Sequence, residues 1–296
     1  MLRRALAALL LCSLASPPPA AAWGFEIHRF ITARALDLLP AELRPFFDKQ
    51  RGFVVEHSID PDLWRSAGFV EEPPRHFLDL DAYGDFPFTA LPRDYEAAVR
   101  RHGLETVQKN GTLPWRAAEV HAQLVKAFEQ VRDGTSPYAR DNAAFHAATL
   151  AHYTADAHVP LHAVLNYDGQ LTGQHGVHGR YETELFLRYR GRLVIDPRPM
   201  PPVGAPRDFV FDSLLVSFRV AGPVLEADRQ ALGSGVDYDD GYFDAFFARA
   251  RPLLEPRLET AVAAVAAMIA GAWEQAGRPA VPPATPRPVR KKRATD

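Results

Sequence analysis

The chain has 296 residues, of which 47% are hydrophobic and 24% are charged, so it is long and apolar enough to bury a substantial core. These figures exclude a disordered protein, a collagen-like chain, a coiled coil and a small disulfide-stapled scaffold. The formal net charge is only −2, but the charges are unevenly distributed along the chain.

The first 22 residues have the pattern of a secretory signal peptide. Two arginines precede an apolar run, and three alanines fit the small-residue rule for cleavage before Trp23. The run, residues 5–15, has 11 residues against the roughly 20 that cross a bilayer, which favours a cleaved signal over an anchor. We therefore predict a secreted or periplasmic protein. Its one cysteine, Cys12, would leave with the signal, so the exported protein would contain no disulfide and no thiolate ligand.

Beyond the signal, apolar residues recur at the three-to-four-residue spacing of amphipathic helices. Gly- and Pro-rich stretches separate these runs, and no alternating strand pattern competes with them. An unbroken apolar run of 13 residues, 261–273, is short for a membrane span and typical of a buried alanine-rich helix. We predict one all-α domain, residues 23–276, with helices over 27–39, 95–107, 117–131, 143–155, 181–189, 209–220 and 252–273.

The last segment, residues 277–296, combines five prolines with six Lys or Arg and one Asp, which predicts a disordered basic tail of net charge +5. Without the signal and this tail, residues 23–276 hold 26 basic and 35 acidic side chains, a net charge of −9. So acidic a domain argues against a broad nucleic-acid footprint, although bound zinc ions would offset part of the charge.

Histidines and acidic residues occur four positions apart in the middle of the chain. His152 and Asp156 would lie on one face of a helix, and His178 and Glu182 repeat the spacing. His162 follows the first pair after a helix-ending proline. Imidazoles and carboxylates are the ligands that zinc takes when no thiolate is present, so these five residues are candidate metal ligands.

Cleavage of the signal would add a further metal-binding group. The α-amino and carbonyl groups of Trp23 could then chelate a metal, and His28 follows five residues later. Further along, Asp62 precedes His76 by 14 residues. We predict that both reach the same metal cluster from a loop.

Together these motifs resemble the zinc-dependent phospholipase C superfamily, which also contains the single-strand-specific nucleases of plants and fungi. The resemblance covers roughly residues 23–190 and includes the run HYxxDxxxPLH and the final His-x3-Glu. It implies a single multi-helical domain around a buried trinuclear zinc cluster that hydrolyses phosphodiesters. One zinc would be held by Asp62, His76, His152 and Asp156, a second by His162, His178 and Glu182, and a third by Trp23, His28 and a bridging Asp156.

The resemblance also implies a mechanism in which zinc supplies hydroxide at neutral pH and clamps the oxygens of the phosphodiester. Asp62 is then the candidate catalytic residue, which orients or deprotonates the attacking water, with Asp60 as the alternative. We expect a monomer without an obligate protein partner.

Two substrates remain open, a phospholipid and a single-stranded nucleic acid. Glu182 and the absence of cysteine from residues 23–276 favour a phospholipase C that releases a phosphorylated headgroup, whereas His158 and the five-residue spacing before His28 resemble the nucleases. A third hypothesis is a secreted zinc-binding protein that has lost turnover.

Two further residues are candidates for substrate binding. Glu26 could face a quaternary ammonium headgroup, and Phe77 could stack on a base. Leu63 and Pro73 are not aromatic where choline-selective members carry rings, which argues against choline selectivity.

The other histidines have weaker claims. His175 is an alternative to His178 but has no acidic residue four positions later, and His158 could donate a hydrogen bond near the cluster. Structural or surface roles are expected for His57, His102, His121 and His146.

Overall fold

The computed structural model describes residues 24–233, 235 and 237–283, which form a single all-helical domain. Within those ranges there is no β-strand, and no helix is both long and apolar enough to cross a bilayer. One cluster of buried hydrophobic side chains runs through the domain. The predicted fold class, an all-α domain, is confirmed. The predicted signal peptide, Cys12 and Trp23 lie outside the described residues.

Helices of very different lengths make up the domain. In chain order they are α1 (Phe25–Asp37), α2 (Arg44–His57), α3 (Asp60–Ser66), α4 (Tyr95–His102), α5 (Leu104–Lys109), α6 (Leu113–Asp133), α7 (Ala139–Asp156), α8 (Val177–Gly179), α9 (Leu185–Tyr189), α10 (Pro206–Leu232) and α11 (Asp240–Gln275). Shorter 3-10 turns occur at Pro73–Arg75, Leu80–Tyr83, Pro160–Ala163 and Arg190–Arg192, and a π-helical turn, Arg180–Glu184, joins α8 to α9.

Every predicted helical segment is helical, but several boundaries differ. The segment 95–107 is divided into α4 and α5 at Gly103, whose φ of 84° lies in the left-handed region that glycine adopts without strain. Within 181–189, the first residues belong to the π-helical turn. The sequence interpretation missed α2 and α3. The buried face of α2 includes a glutamine, Gln50, which interrupts its apolar pattern.

Helix α7 lies at the centre of the domain. It packs against α1, α2, α3, α6 and α11, and every residue from 147 to 156 is buried. Many of these residues are alanines, whose small side chains let the neighbouring helices approach closely. The two candidate ligands on α7 are therefore held in an environment from which water is excluded.

Helix α11 supplies the other alanine-rich wall of the core. All residues from 261 to 273 are buried, as predicted for that run. Gly271 is needed at its position because a Cβ there would lie 2.1 Å from the carbonyl oxygen of Val203. The backbone N–H of Val203 in turn donates to the carbonyl of Ala267 at 3.0 Å. The long segment before α10 is thereby fixed against α11.

The domain continues beyond residue 276, where the sequence interpretation placed the start of a disordered tail. The indole N–H of Trp273 donates to the carbonyl of Pro279 at 2.8 Å, and Val281 is buried. Residues 277–283 of the predicted tail thus place an apolar side chain and a backbone acceptor against the domain. Residues 284–296 of the predicted tail lie outside the described residues.

The close approach of α11 to Val203 gives a testable prediction. We expect Gly271→Ala to lower the free energy of unfolding by about 2 kcal/mol, because the added methyl group overlaps a backbone oxygen. Urea unfolding followed by circular dichroism measures this change. As a control, Gly52→Ala in α2 meets no atom within 4 Å and should raise stability by about 0.5–1 kcal/mol. Equal stability of the two variants would contradict the packing described.

Candidate metal centre

Eight of the nine predicted metal ligands lie within the described residues, and all eight side chains are buried. They come from parts of the chain that are far apart in sequence but meet around the C-terminal end of α7. His28 lies on α1, Asp62 on α3, His76 directly after the turn Pro73–Arg75, His152 and Asp156 on α7, His162 in the turn Pro160–Ala163, His178 on α8 and Glu182 in the π-helical turn.

The eight side chains form three groups, in each of which the ligand atoms lie within 4.8 Å of one another. The first group is His28, His152 and Asp156, the second is Asp62, His76 and His152, and the third is His162, His178 and Glu182. Each of these three groups could hold a metal ion.

Asp156 links the three groups. One carboxylate oxygen, Oδ1, lies 3.5 Å from Nε2 of His28 and 3.8 Å from Nδ1 of His162. The other oxygen, Oδ2, lies 3.0 Å from Nδ1 of His76 and 3.3 Å from Nε2 of His152. A single carboxylate therefore contacts ligands of every group.

The third group has the geometry of a cation site. Nδ1 of His178 donates to the carbonyl of Tyr167 at 3.0 Å, so in the neutral ring Nε2 carries a lone pair. That Nε2 lies 2.7 Å from a carboxylate oxygen of Glu182 and 3.2 Å from Nε2 of His162. Burial alone would lower the pKa of His178, but the Glu182 carboxylate raises it, so either a proton or a metal ion between these atoms would offset their repulsion.

The second group shows the same arrangement. Nδ1 of His152 donates to the carbonyl of Ser58 at 2.8 Å, which leaves Nε2 directed toward Nδ1 of His76, 3.1 Å away. A ring nitrogen held by a backbone carbonyl while the other faces a metal is the usual arrangement of zinc-binding histidines.

Buried polar atoms without partners provide an independent test of metal binding. Both ring nitrogens of His28 are buried without a hydrogen-bond partner, as are the second carboxylate oxygens of Asp62 and of Glu182, whose first oxygens lie beside Arg65 and His178. Each such atom costs about 1–3 kcal/mol in the folded protein unless something compensates it. Nitrogen and oxygen donors of this kind suit zinc, so the residues present fit that ion.

The pKa values of the group members follow from burial and charge. Burial lowers the pKa of His152 and of His162 well below the usual value, so both imidazoles are neutral and able to bind a metal. Burial raises the pKa of Glu182. For Asp156, burial alone would raise the pKa, but the surrounding histidines, His152 first among them, hold it well below its usual range. Asp156 is therefore ionised at the centre of the site.

His76 differs from the other imidazoles. Burial alone would lower its pKa, but the carboxylates of Asp156, Glu72 and Asp62 raise it to about 9. Below that pH, zinc must displace a proton from His76 in order to bind, so the zinc affinity of the second group should fall as the pH decreases.

The local structure at two ligand positions differs from the sequence interpretation. Asp62 was expected in a loop, but it lies on α3, a helix with Pro61 in its first turn, where proline is well tolerated. The pair His178 and Glu182 was expected on one α-helix, but α8 ends at Gly179 and Glu182 lies in the π-helical turn. Such turns often occur at functional sites because they alter where a side chain projects.

The N-terminal part of α1 lies close to the third group. A Cβ on Gly24 would be 2.7 Å from Oγ1 of Thr183, the residue after Glu182. Glycine thus permits the start of α1 to pack directly on the π-helical turn. Trp23, the predicted ligand next to Gly24, lies outside the described residues.

Asp60 and His175, the alternatives to Asp62 and His178, lie outside the three metal groups. Asp60 accepts a hydrogen bond from Nδ1 of His57 at 2.7 Å and belongs to none of the three groups, so His57 has an acidic partner that the sequence interpretation did not assign. His175 is exposed and also lies outside the groups. His158 is buried, and its Nδ1 donates to the carbonyl of Thr154 at 2.8 Å.

The two predicted substrate-binding residues have different surroundings. Glu26 is on the exposed side of α1 and pairs with Arg29 at 2.9 Å, and no hydrogen bond or ion pair among the described residues joins it to the metal groups. Phe77 follows His76 directly and is partly buried, with its ring against Gly111. Only Phe77 is therefore placed beside a candidate ligand.

Sequence reasoning missed two charged residues around the second group. A terminal nitrogen of Arg65 lies 3.0 Å from Oδ1 of Asp62, one helical turn earlier. Glu72 is buried, and although burial alone would raise its pKa, His76, Tyr153 and Arg75 lower it to about 2. The three- and four-residue spacings from Asp62 to Arg65 and from Glu72 to His76 were the available signals.

Another buried carboxyl group lies three residues after His76 and gives a prediction on pH. Burial raises the pKa of Asp79 to about 8, and the Asp81 carboxylate adds to this effect. The folded protein keeps Asp79 protonated to about pH 8, whereas the unfolded chain ionises it near pH 4, so this group lowers stability as the pH rises through that interval. We expect the stabilisation by Asp79→Asn to be larger at pH 8 than at pH 6, by up to about 3 kcal/mol.

Urea unfolding at constant free zinc measures this difference, with the exposed Asp85→Asn as the matched control. The same increment at both pH values for Asp79→Asn would show that Asp79 is ionised in the folded protein.

Metal content tests the third group. We expect purified protein to contain zinc, and His178→Ala to lose about one equivalent because two donors then remain in that group. His175→Ala, which changes an exposed histidine three positions away, should keep the full content. Plasma emission spectrometry of dialysed protein gives both values, and equal zinc contents in the two variants would refute the assignment of His178.

Similarity to characterised proteins adds nothing to this picture. In comparisons with known proteins, no family model and no curated protein matches this chain. The eight buried donors and their geometry therefore identify the three groups as candidate metal sites without support from a relative.

Proposed function

We propose that this chain is an exported zinc-dependent phosphodiester hydrolase, most consistent with a phospholipase C that acts as a monomer. The observation that supports this proposal is the convergence of eight buried His, Asp and Glu side chains, Asp62 and Asp156 among them, around the end of α7.

Three zinc ions would account for the donors. When bound, zinc would lower the pKa of a water molecule toward about 7 and offset the negative charge of a phosphodiester. One ion would be held by Asp62, His76, His152 and Asp156, one by His162, His178 and Glu182, and one by His28, Asp156 and the N-terminal amino and carbonyl groups of Trp23. The contact between Gly24 and the π-helical turn supports the ligand set that includes Trp23, because Trp23 directly precedes Gly24.

Asp62 would act on the attacking water. Burial raises the pKa of this carboxyl group, which makes the carboxylate a better proton acceptor than an exposed aspartate. Arg65 lies beside one of its oxygens and fixes its position. Asp60 is less suited to this role because it is already paired with His57.

Apolar side chains near the ligands favour a lipid over a nucleic acid. Val70, two residues before Glu72, is 88% exposed, and Leu171, on the loop between His162 and His178, is 70% exposed. Leu63, Phe69, Leu165 and Tyr167 on the same two segments are also exposed. Exposed apolar residues on segments that carry candidate ligands suit a membrane surface.

The charges around the second group support the same choice. Arg65 and Arg75 are paired with Asp62 and Glu72, so neither is free to neutralise the backbone of a nucleic acid. A single-strand-specific nuclease is the alternative, supported by Phe77, whose partly buried ring directly follows His76 and could stack on a base.

The test compares hydrolysis of phosphatidylcholine, phosphatidylethanolamine and denatured single-stranded DNA, each with and without a chelator. We expect release of phosphorylated headgroup that the chelator abolishes, together with a lower melting temperature of the chelated protein. Nucleotide release with intact lipid would establish the nuclease. Bound zinc without turnover on any substrate would indicate a zinc-binding protein that is not an enzyme.

The role of Asp62 has its own prediction. We expect Asp62→Asn to lower kcat by about 10²- to 10⁴-fold with zinc largely retained, because the amide cannot accept the proton. Asp60→Asn, two residues away, should keep nearly full activity and serves as the matched control. Full activity in Asp62→Asn, measured as headgroup release beside zinc content, would exclude Asp62 as the base.

A further inference from the structure

Glu72 is a buried carboxylate that belongs to none of the three metal groups. It precedes His76 by four residues across the 3-10 turn Pro73–Arg75, and its exposed fraction is 1%. A buried carboxylate lowers the stability of the folded protein unless hydrogen-bond donors or positive charges compensate it.

Two donors and a metal-group histidine surround this carboxylate. The hydroxyl of Tyr153, next to His152 on α7, donates to Oε1. Arg75 donates to Oε2 at 2.8 Å. Oε1 also lies 3.6 Å from Nε2 of His76. The carboxylate is thus fixed on one side and faces an imidazole on the other.

The tautomer of His76 determines which of its ring nitrogens requires a hydrogen-bond acceptor. Its Nδ1 faces the second group, 3.0 Å from Asp156 and 3.1 Å from His152, so Nδ1 is the atom that would bind zinc. Nε2 must then carry the proton. This buried nitrogen has no hydrogen-bond partner, and Glu72 is the acidic residue that lies within 4.0 Å of it among the described residues.

The partner of His76 differs from those of two other ligands. His152 and His178 direct Nδ1 to the neutral backbone carbonyls of Ser58 and Tyr167. A charged carboxylate makes the imidazole that it faces a stronger electron donor than a neutral carbonyl does. His76 would therefore gain more as a zinc ligand from its neighbour than His152 or His178.

We propose that Glu72 is a positioning residue that fixes the tautomer and orientation of His76 and thereby raises the zinc affinity of the second group. The hydroxyl of Tyr153 holds Glu72 in place, and the Arg116 guanidinium lies 5.3 Å from the centroid of the Tyr153 ring. This inference rests on zinc being the metal of the proposed function, but it does not depend on hydrolysis.

The experiment measures zinc transfer from zinc-loaded, full-length protein to a chromophoric chelator. For Glu72→Gln we expect one zinc equivalent to be bound about 10- to 100-fold more weakly. Glu71→Gln is the matched control, because Glu71 is the neighbouring residue and its side chain is 81% exposed. Its zinc affinity should equal that of the unmodified protein.

A second variant separates positioning from a merely structural role. Tyr153→Phe removes one hydrogen bond to Glu72 and leaves its charge, so we expect a weakening in the same direction but smaller. It also serves if Glu72→Gln does not fold. Wild-type zinc affinity in either folded variant would overturn the proposal, as would an equal loss in Glu71→Gln.

Two results could occur together: Glu72→Gln binds zinc more weakly, and the wild-type protein hydrolyses no phosphodiester. They would support this inference and refute the proposed function. The two proposals therefore fail independently.

Discussion

The structure depends on the burial of nitrogen and oxygen groups whose close approach requires a proton or a metal ion between them. Nε2 of His178 and the carboxylate of Glu182 lie 2.7 Å apart in the interior, and Asp156 is surrounded by imidazoles on both of its oxygens. In water such atoms would be separated by solvent, whereas here the helices exclude it. A positive charge beside Asp156 would attract all of these donors and so offset their mutual repulsion. The surrounding helices hold the donors close enough to share it.

Small side chains make that arrangement possible. Alanines recur along α7 and along the second half of α11, so the neighbouring helices can approach α7 closely. A core built from larger residues would hold α1, α3 and α8 too far from α7 for their ligands to meet. The metal groups therefore depend on the close packing of the alanine-rich core. Burial of apolar side chains in that core offsets the free energy cost of removing the polar ligand atoms from water.

The helical fold class and the positions of the candidate ligands could be predicted because both depend on spacing within the chain. A four-residue spacing puts His152 and Asp156 on the same face of a helix regardless of how that helix packs. The helix that carries Asp62 and the π-helical turn at Glu182 depend on tertiary packing, which a local pattern does not contain. Glu72 was missed although it precedes His76 by four residues, and its other partner, Tyr153, is 81 positions away.

The separation of the ligands along the chain has a consequence for the unfolded protein. The candidate ligands His76 and Asp156 are 80 positions apart, and His76 and His152 are 76 positions apart. An ion shared by such residues would close loops as long as those closed by disulfides in secreted proteins, in a domain that has no cysteine between residues 24 and 283. Unlike a disulfide, this cross-link is reversible and responds to free metal concentration rather than to redox state. The availability of metal would thus influence how long the protein stays folded.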